Sequence, residues 1–311
     1  MRRVARPLLT ALAVSGLVAF TSPKTGCGTY TKTQYPIVLA HDAAGFDSLF
    51  GILDYWFGIP EDLAAGGAKV FVTEVSQFNT PEVRGEQLIA QLEQIRAITG
   101  KPKVNLIGHS QGGFDVRYVA AVRPDLVASV TTIGTPHRGT QIADYLDANF
   151  LNGGFTQDVI ANFANTLGTV IGLLSGSSNP QDAIAGIRSL TSAGAAVFNA
   201  SYPQGMPATP CGVGAAVVNG IRYYSWTGTG VLTNSADVFD DALGVASLFT
   251  SEANDGLVGH CSAHLGQVIR DDYFYNHLDE VNQITALVSP FEANPLVVFR
   301  THANRLKNAG L

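Results

Sequence analysis

The chain has 311 residues, a formal net charge of −6 at pH 7 and only 14% charged residues. This length suits one large α/β domain or two small ones, with a sizeable core. The low charge content comes with a slightly positive mean hydropathy, which excludes a disordered chain. The acidic balance and the lack of a basic block argue against nucleic acid as a partner.

The N-terminal segment has the pattern of an export signal. Three arginines within the first six residues precede a mostly apolar stretch, residues 7–20, which is too short to span a bilayer comfortably. We therefore expect residues 1–27 to be a signal peptide, with an approximate cleavage site, and the mature protein to be secreted. Lipid attachment at Cys27 is the alternative, although Lys24 stands where such a site usually has an aliphatic residue.

Short aliphatic runs alternate with helical patterns along the chain. The predicted strands are residues 35–40, 69–75, 104–107, 127–133 and 221–226. The predicted helices are residues 55–64, 81–98, 114–122 and 295–307. Strands and helices that alternate at these lengths predict a parallel sheet with both faces covered by helices.

The alternation lapses over residues 139–182. Apolar residues between 159 and 174 are spaced mostly by three or four, as on one face of a helix. Stretches rich in glycine and serine bracket this pattern, which favours a lid carrying an amphipathic helix between flexible ends. A fixed core helix is the alternative. No clear linker interrupts the chain, so we expect one domain over residues 28–311.

One turn, Ile-Gly-His-Ser-Gln-Gly-Gly at residues 107–113, carries the clearest chemical signal. The pattern G-x-S-x-G is weak alone. Here it follows an apolar strand and precedes a helix, as in the nucleophile elbow of α/β-hydrolases, with Ser110 at the apex. Gly108 and Gly112 leave room where two backbones pass too close for a Cβ atom.

A serine nucleophile requires a base to take its proton and an acid to orient that base. In this fold the order along the chain is Ser, then Asp or Glu, then His. Asp255 lies in an Asn-Asp-Gly turn, which suits a carboxylate presented from a loop. Three later histidines compete for the base, and spacing alone does not choose among them: His260, His264 and His277.

Two cysteines, Cys211 and Cys261, lie well beyond the leader. In an exported protein such a pair most often forms a disulfide. Closing a loop of about 50 residues would stabilise the fold by about 4 kcal/mol in the chain-entropy model. Two buried thiols are the alternative.

Seven stretches resemble the foldase-dependent bacterial true lipases, the Pseudomonas-type lipases, and the resemblance covers nearly everything after residue 28. The stretches are residues 35–47, 54–60, 73–87, 104–113, 118–126, 254–259 and 276–283. This family is an α/β-hydrolase with a lid, one disulfide and one structural Ca²⁺. The resemblance implies an α/β-hydrolase fold: a mostly parallel central sheet flanked by helices, with a helical lid insertion at about 139–182.

The resemblance also chooses among the candidate catalytic residues. It implies that Ser110 is the nucleophile, Asp255 the acid and His277 the base. The backbone N–H groups of Ala43 and Gln111 would hold the oxyanion. These roles imply hydrolysis of carboxylic esters through an acyl-enzyme.

The cysteines and the metal follow from the same resemblance. Its disulfide matches Cys211 and Cys261. Its calcium ligands match the carboxylates of Asp237 and Asp279 and the backbone carbonyls of Gln283 and Leu287, all of them the oxygen ligands that Ca²⁺ requires. Without the resemblance, Asp237 and its acidic neighbours would be interpreted as a solvated turn.

The activity implied is that of a triacylglycerol lipase that works at lipid–water interfaces. The family further implies export through the periplasm, a monomer, and a lipase-specific foldase chaperone as partner. An esterase or polyester hydrolase on soluble or polymeric esters is the alternative enzyme. A non-catalytic binding protein that keeps only the fold is the alternative outside enzymes.

One position departs from the family pattern. The family has glycine after the histidine of the oxyanion loop, whereas this chain has Asp42 after His41, just before Ala43. A carboxylate inside the site would oppose the oxyanion, so we expect the Asp42 side chain to point away from it.

Overall fold

The structure, a computed structural model, describes residues 12–14, 17–20, 28–42, 48–49, 53–151 and 182–311. The predicted lid helix and Ala43 lie outside the described residues, as does most of the predicted signal peptide. Among the helices that are described, none is long and apolar enough to cross a membrane.

A mostly parallel sheet forms the centre of the described molecule. Its strands are β1 Leu12–Val14, β2 Leu17–Phe20, β3 Ile37–Ala40, β6 Val70–Thr73, β7 Val104–His109, β8 Val127–Ile133, β9 Val217–Val218, β10 Ile221–Gly228 and β11 Gln267–Tyr273. The strand order is β1-β2-β6-β3-β7-β8-β10-β11, and β9 pairs with β10. All pairs from β6 to β11 along this order are parallel, while β1, β2 and β9 pair antiparallel. A separate hairpin consists of β4 Ser48–Leu49 and β5 Leu53–Asp54.

Helices cover the sheet on both sides. They are α1 Ile59–Ala65, α2 Pro81–Thr99, α3 Gly112–Val122, α4 Gln141–Leu146, α5 Ala183–Ser189, α6 Ser192–Ser201, α7 Asp240–Ser247, α8 Gln283–Ala286 and α9 Pro295–Asn308. Alternate residues of β3 point to opposite faces, as the two-residue period of a strand requires. Val38 and Ala40 join one core cluster with residues of α2 and α3, and Ile37 and Leu39 join the other with residues of α1 and α9. The predicted α/β fold, with its parallel sheet covered on both faces, is confirmed.

Several predicted elements agree closely with the structure. β8 has the predicted bounds, and α2 and α9 each extend one residue past the predicted end. Helix α2 begins at Pro81 and ends before Gly100, which adopts the left-handed conformation common at a helix end. One residue of its predicted apolar stripe, Val83, is instead 40% exposed, while Arg84 on the same helix is buried.

Several described elements differ from the sequence prediction: α1 begins at Ile59, four residues after the predicted start, and β9 and α8 were not predicted. Strand β11 and helices α5 to α7 were not predicted. Within the predicted signal peptide, the seven described residues form β1 and β2, and β2 pairs with β6 at the edge of the sheet.

Cys211 and Cys261 form a disulfide, with their Cα atoms 4.3 Å apart. The predicted pairing is confirmed. The bridge closes a loop of 50 residues that contains β10 and α7.

Candidate active site

The elbow, residues 108–113, joins the end of β7 to the start of α3 as the motif predicts. Ser110 has a φ of +51°, in the left-handed region that a residue with a side chain rarely adopts. Its N–H donates to the Ile133 carbonyl at 2.8 Å. A Cβ on Gly108 would collide with the Gly112 backbone, and a Cβ on Gly112 would collide with the Ala40 carbonyl. Close packing of three backbone segments therefore holds the serine in its strained turn.

Gln111 occupies the N-cap position of α3, next to Ser110. Its side chain is buried and donates to the Asn79 carbonyl at 2.7 Å. The free N–H groups at a helix N-terminus favour negative charge. The geometry at Gln111 is therefore suited to the oxyanion role that the sequence assigns to its N–H.

Asp255 and His277 meet in the interior of the protein. His277 Nδ1 lies 2.7 Å from Asp255 Oδ2, and the His277 N–H donates to the Asp255 carbonyl at 2.8 Å. The other carboxylate oxygen, Oδ1, accepts from the N–H groups of Leu257 and Val258 at 2.9 and 2.7 Å. These hydrogen bonds fix the Asp255 carboxylate, with Oδ2 directed at the His277 imidazole.

The base loop, residues 274–282, follows β11 and carries His277. Asn276 shapes it: its Oδ1 accepts from the N–H groups of Leu278 and Asp279, both at 2.9 Å. At the far end of the loop, Asn282 Nδ2 donates to the Phe57 carbonyl at 2.7 Å. The loop is thus fixed by hydrogen bonds from its own side chains.

The electrostatics around His277 favour its charged form. Burial alone would lower the pKa of His277, but Asp255 and the nearby acids Glu280 and Asp42 raise it to about 9. Glu280 is fully buried; burial and the Asp255 carboxylate raise its own pKa. Its Oε1 accepts from Thr227 Oγ1 at 3.0 Å and from the Gly228 N–H. Glu280 lies within the stretch that resembles the lipases, but nothing in its spacing identified it.

The other candidate bases have different partners. His264 Nε2 lies 2.9 Å from Asp271 Oδ2 on β11, and its Nδ1 lies 2.9 Å from the Gly212 carbonyl. The ring nitrogens of His260 lie 3.7 and 3.9 Å from the nearest carboxylate oxygens of Asp271 and Glu252. His264 as well as His277 lies within hydrogen-bond distance of an aspartate, so a nearby aspartate alone does not identify the base.

The expectation that Asp42 points away from the site is wrong. One carboxylate oxygen of Asp42 and one ring nitrogen each of His109 and His277 lie within 4.8 Å of one another. Two long-range contacts hold the Asp42 backbone: Arg84 Nη2 donates to its carbonyl at 3.1 Å and its N–H donates to Tyr55 Oη at 3.2 Å. The Asp42 carboxylate therefore lies near both His109 and His277.

Arg84 is a functional candidate that the sequence interpretation missed. Its side chain is fully buried and pairs with Asp115 on α3 at 2.8 Å. It also donates to the carbonyls of His41, at 2.9 Å, and Asp42, which precede Ala43. The signal was available, because Arg84 lies four residues before Leu88 on the apolar stripe of α2.

The two predicted calcium carboxylates are both buried. Asp237 Oδ2 has no hydrogen-bond partner among the described residues. Burial raises the pKa of Asp279 to about 7, and the nearby carboxylates of Asp240 and Asp237 contribute. Buried carboxylates that lie close together are an environment that favours a cation. Asn234 Nδ2 joins this region to the Val288 carbonyl, next to Leu287, at 3.1 Å.

Further groups around the base have geometry that could hold a metal. The ligand atoms of Asp255, His277 and Glu280 lie within 4.8 Å of one another, as do those of Asp42, His109 and His277. Both groups share His277, so both belong to the surroundings of the candidate base.

Residues 35–281 match the family model of the α/β hydrolase fold. The chain is 52% identical over 283 residues to a triacylglycerol lipase of Vibrio cholerae, covering 91% of this chain and 90% of that one. It is 42% identical over 353 residues to a triacylglycerol lipase of Burkholderia plantarii, covering 100% and 98%. Among solved structures, the mature Bacillus licheniformis lipase BlEst2 covers 94% of this chain and 98% of its own, with a TM-score of 0.64 and 20% identity.

The chain belongs to the α/β-hydrolase fold family, as the family model and the sheet order agree. Within that family it belongs with the bacterial triacylglycerol lipases, given identities of 42–52% over most of its length. It is a carboxylic ester hydrolase.

Proposed function

We propose that this protein hydrolyses the ester bonds of triacylglycerols through Ser110, His277 and Asp255. The observation that supports this most strongly is the buried Asp255–His277 hydrogen bond, 2.7 Å long, at the same edge of the sheet as the strained Ser110 turn. Ser110 follows β7 and His277 follows β11, and the carboxyl ends of parallel strands lie at one edge.

The reaction consists of two acyl transfers. His277 Nε2 takes the proton of Ser110 Oγ as that oxygen attacks the ester carbonyl, and then gives the proton to the leaving alcohol. Asp255 keeps the imidazole in the tautomer with its proton on Nδ1 and stabilises the imidazolium. Water then attacks the acyl-enzyme by the same route, and the acid leaves while Ser110 regains its proton.

The negative oxygen of each tetrahedral intermediate requires fixed donors. We assign this role to the backbone N–H groups of Gln111 and Ala43, the first at the N-terminus of α3. Removal of one such donor typically costs about 3 kcal/mol of transition-state stabilisation. Arg84 supports the second donor, because it holds the carbonyl of the peptide group that joins Asp42 to Ala43.

We further propose that Asp237 and Asp279 hold one Ca²⁺ together with the carbonyls of Gln283 and Leu287. The buried, unpartnered Asp237 Oδ2 supports a cation at this place. Oxygen ligands of this kind match the preference of Ca²⁺. Because Asp279 lies two residues after His277, the ion would fix the base loop.

Export through the periplasm, assistance by a foldase, action as a monomer and a lid over residues 139–182 complete the proposal. Support comes from the arginine-led apolar leader and from the glycine-bracketed helical pattern. An esterase or polyester hydrolase remains the alternative, since the same triad would serve either substrate.

Purified, refolded protein should be tested on esters of increasing acyl length, below and above their solubility limits. A lipase gains activity sharply when a long-chain ester forms an interface, whereas an esterase prefers dissolved short-chain esters. Ser110 should also react with a phosphonate. If the folded protein neither hydrolyses any ester nor is labelled at Ser110, the proposed function is wrong.

A further inference from the structure

The imidazole of His109 lies directly beside the imidazole of the candidate base. The two ring centroids are 4.5 Å apart, and the ring plane of His109 is tilted by 39° from that of His277. His109 is fully buried, ends strand β7 and is followed in the chain by Ser110. One residue therefore contacts the base through its side chain and is joined to the nucleophile through its backbone.

Two buried side chains hold the His109 ring, one at each ring nitrogen. Nδ1 is hydrogen-bonded to Tyr55 Oη. Nε2 lies 3.3 Å from Glu280 Oε2, and neither of these two atoms has another hydrogen-bond partner among the described residues. A buried polar atom without a partner costs about 1–3 kcal/mol, so we expect one proton to lie between Nε2 and Oε2, whichever of them carries it.

The Glu280 carboxyl group is fixed in turn by the strands beside it. Its Oε1 accepts from Thr227 Oγ1 at 3.0 Å and from the Gly228 N–H, both at the end of β10. Gly134, just after β8, approaches the other carboxyl oxygen so closely that a Cβ there would collide with it. The partner of His109 Nε2 therefore has little freedom to move.

The surroundings of His109 keep its imidazole neutral. Burial lowers the pKa of His109 well below its ordinary value, and the charge of His277 lowers it further. A second positive ring at a centroid distance of 4.5 Å would oppose the transfer of a proton to His277, whereas a neutral ring does not. His109 can therefore remain in contact with the base throughout the reaction.

The base requires such a contact because its bond to the acid fixes only one ring atom. Asp255 lies 2.7 Å from Nδ1 of His277, and a ring held at one nitrogen can still tilt about that hydrogen bond. Proton transfer from Ser110 requires Nε2 to come within about 3 Å of Oγ. A second ring packed against the imidazole restricts the tilt, because close-packed side chains in a protein interior leave little free volume.

We propose that His109 is a positioning residue of ester hydrolysis: its imidazole, anchored by Glu280 and Tyr55, holds the His277 ring in the orientation that accepts the proton of Ser110. This inference rests on the proposed function, because it concerns the base of that reaction. His109 acts through His277 and forms no bond to the substrate.

The test compares substitutions of His109 with substitution of a matched histidine. His109→Phe keeps a flat ring against His277, whereas His109→Asn keeps a polar group and removes the ring; His109→Gln replaces His109→Asn if that variant does not fold. His264→Asn is the control, since His264 is also buried and lies 2.9 Å from a carboxylate oxygen, that of Asp271. The kinetic constants kcat and KM are measured with dissolved p-nitrophenyl butyrate, per active site counted by complete reaction with a phosphonate.

In His109→Asn we expect kcat to fall by about 100-fold, the loss typical of a reacting group misplaced by about 1 Å. KM should stay close to that of the unmodified protein, because the contact supports the transition state and not the binding of the ester. His109→Phe should recover most of the loss in kcat, and His264→Asn should show none. Equal losses in His109→Phe and His109→Asn, or an unchanged kcat in His109→Asn, would overturn the proposal.

Proton NMR provides a readout that a loss of stability alone would not change. The Nδ1 proton between His277 and Asp255 should give a resonance far downfield of the amide region, assigned by its absence in His277→Gln. This resonance should be sharp in the unmodified protein, in His109→Phe and in His264→Asn, and broadened in His109→Asn because the ring then samples several orientations. An equally sharp resonance in folded His109→Asn would contradict the positioning role. Failure of the proposed function is seen separately, as no turnover by the unmodified protein, and the resonance would then still test the contact between the two rings.

Discussion

The elbow and the base loop are held in place by different physical means. The elbow depends on backbone packing: Gly108 and Gly112 allow three segments to meet, and Ser110 sits at a φ of +51°. The base loop depends on polar side chains, chiefly Asn276 within the loop and Asp255 beneath His277. Close steric packing leaves room for only one backbone conformation, whereas a network of polar side chains can lose one hydrogen bond and keep the others. Gly108 and Gly112 should therefore tolerate no side chain, whereas substitutions around the base loop should lower activity in steps.

The largest effect is expected at the elbow. Ser110→Ala removes the attacking oxygen, and we expect a loss of about 10⁶-fold in kcat. The melting temperature should stay close to that of the unmodified protein, since Ser110 donates to Ile133 through its backbone. Activity above roughly one percent with a soluble ester, measured on freshly purified variant, would rule out Ser110 as nucleophile.

Substitution of the acid that orients the base should lower activity less than loss of Ser110. Asp255→Asn is expected to lower kcat by at most about 10⁴-fold, the loss typical of a triad acid. A second carboxyl group, Glu280, lies within 4.8 Å of His277 and Asp255 and limits the loss. Adding Glu280→Gln to Asp255→Asn should lower kcat further. If the double variant equals Asp255→Asn, Glu280 gives no support to the base.

Loss of the disulfide should lower stability without affecting the elbow or the base loop. Replacing Cys211 and Cys261 by serine should lower the free energy of unfolding by about 4 kcal/mol, because the unfolded chain regains the entropy of a 50-residue loop. Activity per folded molecule should persist, since neither sulfur belongs to the elbow or the base loop. Urea unfolding monitored by fluorescence gives the first quantity, and active-site titration with a phosphonate gives the second.

Removal of the proposed Ca²⁺ should act on the base loop and spare the elbow. EDTA should lower the melting temperature and kcat together; an ion at 100 times its Kd contributes about 2.7 kcal/mol to stability. Asp237→Asn should reproduce the effect, and Asp241→Asn, at a neighbouring exposed acid, should not. If the melting temperature is unchanged in EDTA and calorimetry detects no calcium binding, the proposed calcium site is wrong.

The smallest effect concerns two buried histidines outside both loops. Burial lowers the pKa of His41 and of His302 to about 3, and in each ring one nitrogen accepts a hydrogen bond, from the Val75 N–H and from Arg305. The unfolded chain therefore binds more protons, and stability is lost as pH falls from about 6.5 towards 3.

Each of these histidines should cost about 1.4 kcal/mol per pH unit below its unfolded pKa. His302→Gln should flatten this dependence by roughly one proton, as measured by urea unfolding at pH 7.0 and 5.5. If the slope is the same in His302→Gln, protonation of His302 does not contribute to acid destabilisation.

The sequence predicted structure best where the local residue pattern alone determines the element. β8 had its predicted bounds because six of its seven residues are aliphatic or β-branched, which favours a strand over a helix. β11 was missed because Arg270, Asp271 and Asp272 interrupt its apolar pattern, as is common at a sheet edge. The elbow was predictable because its glycines and serine are contiguous.

The rest of the site depends on residues distant in sequence. The backbone of Asp42 is held by Arg84 and Tyr55, 42 and 13 residues away. The choice of His277 required the resemblance to a family, because His264 also pairs with an aspartate. The periodic pattern of apolar residues does not report contacts between distant residues. The charge and burial around these positions are therefore visible only in the folded chain.

The hydrogen bond from Asn282 to Phe57 bears on the folding rate of the protein. It joins residues 225 positions apart, and the contact of Thr131 with His302 spans 171. Contacts over such distances carry a large loop-closure entropy before they contribute stability, so folding is slow. During that delay the apolar strands of a parallel sheet stay exposed to association with other chains. The base loop, closed by Asn282, is therefore expected to be among the last parts to reach its final form.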